Sequence, residues 1–143
     1  MKISSLFLVI LTIFLVSVFF WLRKENHCIV SSSSGDWIFE VARTREEHMR
    51  GLMNRTNLCE RCGMLFVFDS QFPQVFWMKN TYLPLDMYFY DDKWILVDVA
   101  RNMRPEWETG EPMMYKSKPA KYVVEVLQWS VFPTDSIDIV QCR

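Results

Sequence analysis

From Ile3 to Leu22 the chain reads ISSLFLVILTIFLVSVFFWL, with no charged residue, glycine or proline. At about 1.5 Å rise per residue such a run spans roughly 30 Å as a helix, the hydrocarbon thickness of a bilayer. A helix is also the open segment that satisfies its own backbone in lipid. The pattern therefore predicts a transmembrane anchor over residues 1–24, with Trp21 at the interface. A cleaved signal peptide would need small residues after a shorter apolar region, whereas Phe19, Phe20, Trp21 and Leu22 lead straight into Arg23 and Lys24. Residues 25–35, ending in SSSSG, bury too little apolar surface to order themselves and read as a flexible tether. The remainder, residues 36–143, suits one globular domain.

Within that domain the period changes. Trp37, Phe39 and Val41 alternate with Ile38, Glu40 and Ala42, as in a strand with one buried face. Thr44 followed by Glu47 is a capping box that opens a short helix, TREEHMRGLM, with Gly51 as its stop. GMLFVF (Gly63 to Phe68), QVFWM (Gln74 to Met78) and LDMYFY (Leu85 to Tyr90) are rich in aromatic and branched residues and predict strands. A turn at Asp91, Asp92 and Lys93 leads into WILVDVARNM, and KYVVEVLQW and SIDIVQC complete a meander of about seven strands. The fold class is mainly β with a minor α part: a small barrel-like or sandwich β domain with one short helix near its start. Expected core residues are Phe39, Val41, Leu65, Val67, Phe76, Met78, Met87, Phe89, Ile95, Val97, Val99, Val124, Val126 and Ile137.

Charge narrows the partners. From Arg23 onward 15 basic residues (all 16 less Lys2) face 17 acidic ones, and no basic stripe is present, which argues against nucleic acid. The single-pass chain meets the membrane through Ile3 to Leu22. An amino-terminal apolar segment commonly directs export of the domain behind it, and four cysteines suit an oxidising compartment, so the domain is expected on the extracytoplasmic side.

The segments EVARTREEHMRGLMNRTNL, GMLFVFD, FWMKNTYLPLDMYFYDD, ILVDVARNMRP and YVVEVLQW resemble, in order and spacing, the uncharacterised conserved ACR family, domain of unknown function number 192. The resemblance runs from about Asp36 to the end. It implies a compact, mainly β domain, often attached to an export signal or membrane anchor, and it implies no reaction. One departure stands out: RNMRPEWETGEPMMYKSKPA lacks the cysteines that many similar sequences carry there.

The residues offer three constellations. Phe76 to Asp86 ends a strand and sets Trp77 beside Lys79, Asn80, Thr81 and Asp86, a polar floor for a small ligand. The plainer reading has Asn80 and Thr81 bonding turn backbone while Lys79 pairs with Asp86. Arg43, Arg45 and Arg50 form a weak anion patch or pair with Glu46 and Glu47. Cys59 and Cys62 fit a loop-stapling disulfide, a redox pair, or half of a zinc site with His48 and Cys142.

No nucleophile set and no phosphate loop is legible, no cofactor or metal is called for, and the reading leans away from an enzyme. The leading expectation is a non-catalytic module that binds a small polar or carbohydrate ligand, or an envelope polymer. The alternatives are a metal- or thiol-dependent enzyme or redox factor built on Cys59 and Cys62, and a scaffold docking another membrane protein through a Met113, Met114, Tyr115 loop.

Overall fold

The computed structural model describes residues 10–12, 14, 27–32, 35–132 and 138–142. Residues 10–12 and 14 are helical, but most of the expected anchor, residues 1–24, lies outside the described residues. Among those described, no helix is long and apolar enough to cross a membrane.

Among the described residues seven strands carry the domain: β1 (His27–Ser32), β2 (Gly35–Ala42), β3 (Cys62–Trp77), β4 (Leu85–Tyr90), β5 (Leu96–Met103), β6 (Met114–Leu127) and β7 (Asp138–Cys142). Two short helices, α1 (Arg45–Arg50) and α2 (Glu106–Thr109), lie in the connections after β2 and β5. The strands form one open sheet in the order β5-β4-β6-β3-β2-β1-β7, which replaces the expected barrel or sandwich. It is also no simple meander. Strand β6 runs back between β4 and β3, and β2 and β3 pair in parallel, with α1 in the crossover that parallel pairing requires.

The strand count matches the expectation for a compensated reason. GMLFVF and QVFWM are one long strand, because β3 continues through exposed residues 69–73 by shifting register against β6. The added strand is β1, which occupies most of the segment that composition assigns to a tether. Residues 27–32 pair antiparallel with β2, and Cys28 and Val30 alternate onto a buried face. Cys28 is bonded to Cys142, so β1 is held from both sides, by β2 and by β7.

Strand alternation divides the core into two clusters. On one face lie Met64, Phe66, Met78, Met87, Phe89 and Val123; on the other lie Trp37, Phe39, Leu65, Tyr88, Tyr90 and Val124. Strand β4 is buried at every position, having neighbours on both faces and both edges. Of the expected core, Val67, Val97 and Val99 are half-buried. Ile95 is exposed because it belongs to the turn ahead of β5, where its N–H donates to Asp91 Oδ1 at 2.9 Å. Ile137 lies outside the described residues.

Helix α1 follows its local signals. Thr44 Oγ1 accepts from the Glu47 N–H at 3.2 Å, the Glu47 carboxylate accepts from the Thr44 N–H at 2.9 Å, and Gly51 at φ 46° closes the helix. No residue within α1 is buried, so it is held at its ends and by the chain beyond it, where Leu52 enters the core.

Candidate functional site

Because α1 buries nothing of its own, a cleft remains between it and the sheet. The cleft has a volume of about 370 Å³ and is walled by Phe66, Phe68, Val75, Phe76 and Trp77 from β3, Met49 from α1 and Met114 from β6. The aromatic walls brace one another: Phe66 meets Phe76 edge-on at 5.0 Å, and Phe76 meets Phe89 likewise at 5.6 Å. Arg45, His48 and Gln74 are the polar lining. The His48 ring lies 4.4 Å from that of Phe68, and its Nε2 is 3.1 Å from the Ala42 carbonyl oxygen. A carbonyl only accepts, so Nε2 bears the proton, and in the neutral ring Nδ1 is the basic nitrogen.

Adjoining the cleft is a small annex of about 20 Å³, walled in part by the RGLM segment Arg50, Gly51, Leu52 and Met53. Cleft and annex share His48, Met49, Phe66, Phe76 and Trp77. Glu125 of β6 lines the annex and is 4 % exposed. Its cross-strand neighbours are Met64 on β3 and Met87 on β4, which offer no charge and no hydrogen-bond donor on their side chains. Burial alone pushes the Glu125 carboxyl up from its ordinary 4.5 to about 8.

The residues singled out from the sequence are only partly gathered here. Trp77 lines cleft and annex, Thr81 lines the annex, and the Lys79 ammonium stands 5.2 Å from the Trp77 ring centroid. Asn80 serves the turn: it adopts φ 53° and its carbonyl accepts from the Asn54 N–H at 2.8 Å. Thr81 does so too, its hydroxyl lying 3.3 Å from the Lys79 carbonyl. Asp86 is buried on the opposite face, because the register pairs Val126 with Asp86 and Glu125 with Met87. The expected Lys79–Asp86 pair is replaced by Asp86 with Arg101, 3.9 Å away, and by the Asn102 N–H, which donates to Asp86 Oδ1 at 2.8 Å.

The three arginines also part. Arg45 lines the cleft and Arg50 the annex, whereas Arg43 gives its backbone N–H to Glu47 at 2.7 Å. Cys59 is bonded to Cys62 and Cys28 to Cys142, so the zinc set of Cys59, Cys62, His48 and Cys142 is not assembled. Of Met113, Met114 and Tyr115, Met114 is exposed at the first position of β6, while its two neighbours are engaged by the fold. Tyr115 stacks on Phe89 at 5.6 Å, its hydroxyl donates to Asp98 Oδ1 at 3.0 Å, and Met113 packs against the core.

Sequence reasoning passes over Glu125. The available signal is a single carboxylate among valines, VVEVL, in a strand destined for burial.

Fold and site together define an open-sheet β domain with an aromatic cleft under a short crossover helix. The family model of DUF192, uncharacterised ACR, matches residues 29–131, and the chain belongs to that family. Among solved structures, a protein of Sinorhizobium meliloti 1021 described as a "putative transcription regulator" is 31 % identical, with 80 % of this chain and 92 % of that chain covered and a TM-score of 0.67. A protein of unknown function from Novosphingobium aromaticivorans DSM 12444 is also 31 % identical, with 72 % and 73 % covered and a TM-score of 0.61. No curated protein matches the chain.

Proposed function

We propose that the domain is a membrane-tethered, non-catalytic binding module whose aromatic cleft takes a small ligand with an apolar body and one polar end. The observation that carries this reading is the cleft itself. About 370 Å³ of largely aromatic space with a few polar groups at its border is the usual form of a small-molecule site. The polar turn Lys79-Asn80-Thr81 contributes through Thr81 and through Lys79 over Trp77, while Asp86 stands outside the site. Tethering rests on the apolar run Ile3 to Leu22, and the two disulfides favour the extracytoplasmic side.

The test is calorimetric titration of the full chain in nanodiscs with 2-naphthamide, using empty nanodiscs as the blank. Binding is expected, with a loss of about tenfold in Trp77→Ala, which removes one aromatic wall. A folded protein that takes up no naphthalene probe at millimolar concentration refutes the reading. Sidedness is read by labelling exposed Lys93 with an impermeant amine reagent in intact cells; labelling only after lysis refutes export.

A further inference from the structure

Glu125 occupies a place where the fold itself provides nothing for a carboxyl group to bind. It sits near the carboxyl end of β6 (Met114–Leu127), flanked across the sheet by Met64 and Met87, both buried. Among the described residues no hydrogen bond or ion pair reaches its carboxyl, and burial is the one influence on its protonation. The titratable and charged groups that share the annex are His48 and Arg50, both from α1; β3 and β4 present none at its register positions.

An unpaired carboxylate in such surroundings costs several kcal/mol, so the group is held as the neutral acid. The rise of its titration to about 8 agrees with that. A neutral carboxyl carries an O–H donor, and among the described residues no hydrogen-bond partner receives it. Beside it lies a space of about 20 Å³, enough for one water-sized group, which shares His48, Met49, Phe66, Phe76 and Trp77 with the aromatic cleft. Gly51 borders that space: a Cβ there would make ordinary contacts, 3.9 Å from Glu125 Oε2 and 3.4 Å from the Phe66 ring, while its φ of 46° favours glycine.

We propose that Glu125 is the specificity-determining group of the cleft: its carboxyl O–H donates a hydrogen bond to an acceptor oxygen, carbonyl or carboxylate, on the buried end of the ligand. The proposal rests on the cleft being a ligand site and names the chemistry that enters deepest. Arg50 at the annex and Arg45 at the cleft favour the same electron-rich end, and both oppose an ammonium. An ammonium could donate to the carbonyl oxygen of the neutral acid only by leaving its O–H unpaired, or pair with an ionised Glu125 at the burial cost the neutral acid avoids. The ligand class is therefore an apolar, preferably aromatic, amide, ester, ketone or acid.

The test uses the full chain in nanodiscs with two probes of equal shape, neutral 2-naphthamide and cationic 2-naphthylmethylamine. Because the amide does not titrate, any pH dependence belongs to the protein. For the wild type, amide affinity should fall about tenfold between pH 7 and pH 9, as a group titrating near 8 loses its proton. Glu125→Gln should bind the amide within about threefold of wild type at pH 7, and with a flat profile, since an amide N–H replaces the O–H. Glu125→Leu should lose tenfold or more, and the amine should bind at least tenfold more weakly than the amide.

A flat wild-type profile overturns the proposal while the cleft reading survives. So does an amine that binds as well as the amide. Absence of binding by either probe overturns both. Thermal unfolding confirms that each variant is folded, and if Glu125→Leu is not, the profiles of wild type and Glu125→Gln decide alone.

Discussion

Glu125→Gln should change how stability depends on pH. In the unfolded chain the carboxyl titrates near its ordinary 4.5, and in the fold near 8. Between those values the folded protein holds more protons than the unfolded one, so unfolding releases a proton and stability falls as pH rises. The full contribution is present below about pH 4.5 and is lost by about pH 8. At about 1.4 kcal/mol per pH unit, a rise from 4.5 to about 8 amounts to about 5 kcal/mol, which rivals the total stability of a small domain. Few other carboxyls intrude on that window. The Arg55 guanidinium holds Glu40 below the usual range, and the backbone N–H groups of Arg43 and Thr44 do the same for Glu47, so both act only at more acid pH. The assay is urea unfolding of the full chain in detergent micelles at pH 5.5, 7 and 9. Wild type should lose most of that amount across the series, while Glu125→Gln, which cannot ionise, should lose little. Equal wild-type stability at pH 5.5 and 9, or the same slope in both proteins, would refute the reasoning.

Three further outcomes rest on packing and pairing. Gly63→Ala should destabilise by about 2 kcal/mol or more in the same urea assay, because a Cβ there would strike the Glu125 backbone carbonyl and approach the Phe39 ring to 2.6 Å. Opening Cys28–Cys142, which closes a loop with a sequence separation of 114, should cost about 4 to 5 kcal/mol, against about 2 for Cys59–Cys62 at a separation of 3, read by comparing Cys142→Ser with Cys62→Ser. Arg55→Met removes a two-pronged pair with Glu40 whose second contact is 2.6 Å; with both side chains about one-third exposed it should cost only about 1 kcal/mol at pH 7. Because Glu40 titrates below its ordinary 4.5, that contribution is present above about pH 4.5 and should disappear as pH falls through the folded value.

What the sequence by itself determined is local. The Thr44 and Glu47 cap, the Gly51 stop and the alternation of Trp37, Phe39 and Val41 depend on residues within one turn or one strand, so they were legible without a partner. The motif order also sufficed to place the chain in its family. Tertiary structure decided which strands meet and in what register. Residues 27–32 read as polar tether until β2, β7 and Cys142 supply their partners. The linear chain pointed to Asp86 as the site carboxylate and passed over Glu125. One residue of register separates them: Met87, not Asp86, stands opposite Glu125, and in a pleated sheet that difference puts the two on opposite faces. The annex beside Glu125 belongs to no segment, since it forms only where the α1 crossover closes over β3 and β6.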